Sequence, residues 1–106
     1  ASDVYKRQYV HRHFREDLTL EEAAAAVGLS PHYFSGLFRK AVGRNFSEYI
    51  CALRVQYARN LLVSGDRSVT DICFASGFGS FSSFSRAFQK QSGMTPMQVR
   101  KTGSDL

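Results

Sequence analysis

Apolar residues recur along this chain at steps of three and four, the spacing that lines one side of an α-helix. The longest stripe is Phe46, Tyr49, Ile50, Leu53, Tyr57, Leu61 and Leu62, which predicts a helix over about residues 46–63. A stripe of that length can pack against the segments on both sides of it, so this helix is expected to be a scaffold. Tyr9, Val10 and Phe14 predict an opening helix over about 4–15 that covers the segment after it. The whole chain reads as seven helices and no strands, an all-α fold.

Polar punctuation sets the helix boundaries. Thr19 and Glu22 form a capping box, in which hydroxyl and carboxylate satisfy N–H groups at a helix start. The run Ala23 to Ala26 favours helix, and Gly28 can take the left-handed conformation that ends it. Ser30 caps the next helix, with Pro31 at its first position, where no N–H is needed. Asn45 with Glu48 caps the scaffold helix, and Gly65-Asp66 is the turn expected after it. Ser68 and Asp71 open a further helix, Gly77 ends it, Ser80 caps another, and Thr95-Pro96 start a short last one.

These signals repeat. Phe34, Ser35, Phe38, Lys40 and Gly43 return 50 positions later as Phe84, Ser85, Phe88, Lys90 and Gly93. Upstream, Leu20, Ala23 and Gly28 return 49 positions later as Val69, Ile72 and Gly77, so the second copy has one extra turn residue near Gly79. The chain is a tandem of two helix–turn–helix units. Residues 1–45 hold the opening helix and the first unit, 46–64 the linking scaffold, and 65–106 the second unit. Together they are expected to make one domain.

A helix-turn-helix crosses its helices closely, which requires a small residue on the first helix and a glycine in the turn. Ala24 lies four before Gly28, and Cys73 four before Gly77. Apolar residues bracket each turn: Ala23, Val27, Leu29, Phe34 and Leu37 in the first unit, Ile72, Phe78, Phe84 and Ala87 in the second. With Phe34, Leu37 and Phe38 facing inward, His32, Tyr33, Ser35, Gly36, Arg39 and Lys40 are left outside. With Phe84, Ala87 and Phe88 inward, Phe81, Ser82, Ser83, Ser85, Arg86, Gln89 and Lys90 remain. Such second helices enter the major groove. Arg86 can bond guanine O6 and N7 together, and the serines can bond a base or a phosphate. Phe81 is either a staple onto its own helix or an apolar contact to a thymine methyl or a sugar. Phosphate contacts are expected from Ser30, Arg39, Lys40, Arg44, Ser80, Gln89 and Lys90.

Charge supports a polyanionic partner: the formal net charge is +5 and the pI about 9.6. It is also sorted. Glu16, Asp17, Glu21 and Glu22 cluster at the start of the first unit, while Arg39, Lys40, Arg44, Arg54 and Arg59 lie downstream, with only Glu48 among them. Arg54, inside the scaffold helix, is expected to be structural. No run of 18 apolar residues is present, which speaks against a membrane span, and no secretory signal opens the chain. Cys51 and Cys73 form no CxxC pair and have no histidine at ligand spacing, so no metal, cofactor or disulfide is expected, and both read as buried thiols. The chain starts at Ala1 and its first methionine is Met94, so it reads as a fragment of a longer chain.

The segments Leu18-Thr19-Leu20-Glu21-Glu22-Ala23-Ala24, Val27-Gly28-Leu29-Ser30-Pro31, Tyr33-Phe34-Ser35 and Leu37-Phe38-Arg39-Lys40 resemble the first unit of the AraC/XylS family of transcription regulators. Val69-Thr70-Asp71-Ile72, Gly77-Phe78, Phe84-Ser85-Arg86-Ala87-Phe88 and Gly93-Met94-Thr95-Pro96 resemble the family's signature segment. The resemblance runs from about residue 9 to residue 101. It implies a bacterial, cytoplasmic reader of double-stranded DNA whose two recognition helices enter successive major grooves. It implies too a separate sensing or dimerisation domain in the parent chain and, for an activator, contact with RNA polymerase. The family's contact pattern carries over to His32, Ser35 and Arg39 in the first recognition helix, and to Phe81, Ser82, Ser83, Ser85 and Arg86 in the second. One departure stands out: relatives often carry a long polar or basic residue where this chain has Gly36, so direct readout by the first helix is expected to be thin. Two other readings compete. One is a helical protein-interaction module. The other is the regulatory part of a larger DNA-repair alkyl-transfer protein, which needs a reactive cysteine elsewhere in the parent chain. No nucleophile, base and oxyanion site assemble here, so catalysis is not expected.

Overall fold

The computed structural model describes residues 2–102, with side chains from Arg7 onward. Among the described residues there are seven helices and no strand: α1 (Ser2–His13), α2 (Leu20–Ala26), α3 (Pro31–Val42), α4 (Phe46–Ser64), α5 (Val69–Ala75), α6 (Phe81–Ser92) and α7 (Pro96–Thr102). The chain separates into two compact units, Ala1–Cys51 and Ala52–Leu106, and α4 is shared between them.

The caps read from the sequence are formed. Thr19 Oγ1 accepts the Glu22 N–H at 3.1 Å as expected, while the Glu22 carboxylate accepts the Thr19 hydroxyl at 3.1 Å in place of an N–H. Asn45 and Glu48 make a reciprocal box, with the Glu48 N–H on Asn45 Oδ1 at 2.8 Å and the Asn45 N–H on Glu48 Oε1 at 3.3 Å. Ser68 accepts the Asp71 N–H at 3.0 Å. Thr95 and Gln98 close a second reciprocal box ahead of α7. Each satisfies N–H groups that a helix start leaves without an intrahelical partner. Gly28 and Gly77 end α2 and α5 with φ of +75° and +104°, in the left-handed region where a Cβ is strained.

In the first unit Val10, Ala23, Ala24, Phe34, Phe38, Phe46 and Ile50 are buried. The Phe34, Phe38 and Phe46 rings meet at centroid distances of 5.5–5.7 Å, and Phe38 also meets Tyr49 edge-on at 5.3 Å. Helix α1 is tied on by Val10, by Arg7 Nη2 donating to the Ala41 carbonyl at 3.2 Å, and by a 2.7 Å bond between His11 and the Tyr49 hydroxyl. It ends two residues earlier than expected. The Glu16 N–H turns back to the His13 carbonyl at 3.0 Å and the Glu16 carboxylate bonds His13 Nδ1, so Phe14 lies past the helix, half-buried.

In the second unit Val55, Ala58, Leu62, Ile72, Cys73, Phe78, Phe84, Phe88 and Val99 are buried, with the Ser76 hydroxyl turned onto the Ile72 carbonyl at 2.7 Å. Val55 and Ala58 lie outside the stripe read for α4. From Tyr49 to Val55 every residue of that helix is buried or half-buried, so it is covered all round there and a single apolar stripe does not describe it. Arg100 joins α7 to the end of α4, its Nε donating to the Leu62 carbonyl at 3.3 Å. Residues 65–68 form an open connection and not the tight turn expected at Gly65-Asp66. Arg54 is half-buried, and so is Cys51, which is less enclosed than expected of a core thiol.

Candidate nucleic-acid interface

Each unit presents one N-capped, twelve-residue helix whose inner face is closed and whose outer face is open. Ser30 Oγ accepts the Tyr33 N–H at 3.3 Å, and Ser80 Oγ accepts the Ser83 N–H at 3.1 Å while its hydroxyl is bonded to Ser83 Oγ. Both helices end on a glycine with positive φ, Gly43 at +85° and Gly93 at +74°. Position for position the two have the same burial. Phe34 and Phe84, then Phe38 and Phe88, are enclosed. Ser35 and Ser85, Leu37 and Ala87, and Val42 and Ser92 are half-buried, and the remaining residues are exposed. Leu37 and Ala87 are thus at the margin of the core and not inside it.

The helix in front of each supplies the close crossing. Ala24 on α2 and Cys73 on α5 are both fully enclosed, as expected of the small residue four before the turn glycine. Burial pushes the Cys73 thiol above its ordinary pKa. The thiol also points at the Ser80 carbonyl, 3.6 Å away, so it stays protonated and inert at neutral pH.

On α3 the outer face carries His32 and Tyr33 in the first turn, Ser35 and Gly36 in the middle, and Arg39 and Lys40 in the last turn. His32, Ser35 and Arg39 succeed one another at helical spacing, so they share one side. Arg44 is exposed just past the Gly43 cap. On α6 the corresponding face carries Phe81, Ser82 and Ser83, then Ser85 and Arg86, then Gln89 and Lys90. The Phe81 ring packs edge-on against Phe84 of its own helix with centroids 5.8 Å apart, as a staple does, and remains 44 % exposed. Neither helix contains an acidic residue; Arg39 and Lys40 stand in the last turn of α3 and Lys90 in the last turn of α6, with Arg86 in mid-helix. An anionic partner therefore meets the partial positive charge of the helix start and the side-chain charge further along, with no carboxylate in either helix to repel it.

One outward residue had no role assigned from sequence. Tyr33, 54 % exposed, stands in the first turn of α3 beside His32. Its signal was its place on the outer face, 50 positions before Ser83.

A helix-turn-helix domain family matches residues 23–102. The chain is 36 % identical over 94 residues to the uncharacterized HTH-type transcriptional regulator YobQ of Bacillus subtilis, covering 89 % of this chain and 39 % of that protein. It is 34 % identical over 93 residues to the melibiose operon regulatory protein of Escherichia coli K12, covering 88 % of this chain and 31 % of that protein. The chain thus spans well under half the length of these curated relatives. Among solved structures, the C-terminal domain of AraT, a response regulator from Geobacillus stearothermophilus, superposes with a TM-score of 0.91 at 33 % identity, covering 95 % of this chain and 84 % of that one. The DNA-binding domain of AdpA, a global transcriptional factor solved in complex with a target DNA, gives 0.89 at 26 % identity over 94 % of this chain and 90 % of that one. With two capped helices exposed on matching faces and these relatives alongside, the chain belongs to the AraC-type helix-turn-helix family, the DNA-binding domains of transcription regulators.

Proposed function

We propose that this chain is the sequence-reading part of a bacterial transcription regulator, and that it inserts α3 and α6 into successive major grooves of one duplex. The observation that carries this reading is the doubled helix with one buried face and two different outer faces. In this reading His32 and Ser35 of α3, and Phe81, Ser82, Ser83, Ser85 and Arg86 of α6, meet base edges. Ser30, Arg39, Lys40, Arg44, Ser80, Gln89 and Lys90 hold the phosphates. It is a binding module and not an enzyme. The rest of the parent chain senses or dimerises, RNA polymerase is the partner of an activating form, and the work is done in the cytoplasm. Among the described residues no helix is long and apolar enough to cross a membrane.

Footprinting and salt titration test the reading together. One chain should protect an asymmetric site with two patches about one helical turn, roughly 34 Å, apart. About six phosphate contacts give a slope near −5 in log K against log salt. Protection of a single patch, or a requirement for a palindrome, would refute the two-groove arrangement. A flat salt response would refute the phosphate contacts and favour a protein-interaction module.

A further inference from the structure

The two recognition helices superimpose in burial, and the 50-residue offset lays Gly36 on Arg86. Both positions are exposed in mid-helix, one residue after the half-buried Ser35 or Ser85. The fold gives no reason for glycine there. Gly36 does not have the positive φ found at Gly28, Gly43, Gly77 and Gly93. A Cβ built on it meets nothing within 4 Å. It serves no turn and no close packing, and it weakens the helix relative to alanine.

We propose that Gly36 is the specificity-determining position of the first unit: by withholding a side chain where the second unit has Arg86, it leaves α3 a permissive clamp beside a discriminating reader. The inference rests on the two-groove reading above and deepens it. On α3, His32 in the first turn still meets a base edge, and Arg39 and Lys40 in the last turn still hold phosphate. No long side chain extends between them toward base edges. The first half of the binding site is therefore loosely fixed in sequence and the second half tightly fixed.

Selection from a random duplex pool tests this with the wild-type chain and the variants Gly36→Arg, Gly36→Gln and Gly36→Ala. The wild type should return one tightly fixed block and one loose block. Gly36→Arg should fix a G·C pair within the loose block, with about 5- to 150-fold discrimination against the other bases, and Gly36→Gln an A·T pair. Gly36→Ala should leave both blocks unchanged. All three replacements favour helix, so circular dichroism should show an unchanged or higher melting temperature. Two equally fixed wild-type blocks would overturn the inference while leaving the two-groove reading intact. So would a loose block that neither Gly36→Arg nor Gly36→Gln sharpens. A drop in affinity for every sequence with Gly36→Ala would overturn it too, because it would show that the glycine admits a close backbone. A wild type that enriches no sequence over random duplex would overturn the two-groove reading, and the inference with it.

Discussion

In α3 the enclosed side chains are Phe34 and Phe38, and in α6 they are Phe84 and Phe88, four residues apart in each. The same serine comes after the first phenylalanine of each pair, and the same lysine stands two after the second. Outside, the copies part company. His32 and Tyr33 face Ser82 and Ser83 in the alignment, Gly36 faces Arg86, and Arg39 faces Gln89. The inner residues answer to a packing problem that both units share. The outer ones answer only to whatever each unit touches, and nothing in the fold holds them alike. The difference reaches into the cores. Where the first unit has Val27 and Val42, the second has Ser76 and Ser92, whose hydroxyls bond the Ile72 and Phe88 carbonyls at 2.7 Å.

The comparison breaks first if the two cores are not equivalent. Phe34→Ala and Phe84→Ala should each cost about 3–5 kcal/mol, since each ring is enclosed and touches other aromatic rings. Chemical denaturation monitored by circular dichroism measures both. A loss below about 1 kcal/mol in one and not the other would mean that the repeat is one of sequence and not of packing.

The outer faces are separated by a smaller effect. Arg86→Ala should remove about 1–3 kcal/mol of discrimination at one or two base pairs. Lys40→Ala and Lys90→Ala should weaken all sequences alike and reduce the salt slope by about 1 each. Affinities for the best site and each of its single-base changes distinguish these classes. If Arg86→Ala lowers all of them by one factor, Arg86 is a phosphate contact and α6 is no more the reader than α3.

The caps should not distinguish the units at all. Ser30→Ala and Ser80→Ala each remove the acceptor of one N–H at a helix start, at 3.3 and 3.1 Å, and should each cost about 1 kcal/mol. Thermal melts of the two variants should coincide closely. A much larger loss for Ser80→Ala would show that the bond from its hydroxyl to Ser83 Oγ matters more than the cap itself.

What could be read from the chain alone depends on how far apart the interacting groups lie. The caps at Thr19, Ser30, Asn45, Ser68, Ser80 and Thr95 close over three residues, so their pattern shows in the chain itself. The alternation of inner phenylalanines with outer polar residues marks the open faces of α3 and α6 for the same local reason. The features that did not show are set by distant partners. The His11–Tyr49 and Arg100–Leu62 bonds each span 38 residues, and no periodicity announces them. Val55 and Ala58 were missed because α4 is covered on more than one side, which a single stripe cannot express. Ser76 was missed because a serine bonded to its own helix passes for a solvent residue. Of the candidate interface, the sequence shows which side chains point outward. Which of them meets a base depends on a partner the chain does not encode.

The smallest expected effect concerns the residue at each helix crossing. Cys73 stands 49 positions after Ala24, and both are fully enclosed, so Cys73→Ala gives the second unit the side chain that the first already has. Losing one buried sulfur should cost roughly 1 kcal/mol or less near neutral pH. The pH dependence separates sulfur from methyl. The thiol's pKa is raised in the folded chain because burial disfavours the thiolate. The unfolded chain therefore releases this proton at a lower pH than the folded one. The stability contributed is intact below the ordinary thiol pKa and declines as pH rises through it toward the folded value. Melting temperature measured from neutral pH into the alkaline range should fall more steeply for the wild type than for Cys73→Ala. Every other side chain is common to the two proteins, so the difference between the curves isolates Cys73. Parallel curves would show that the second crossing tolerates a thiolate.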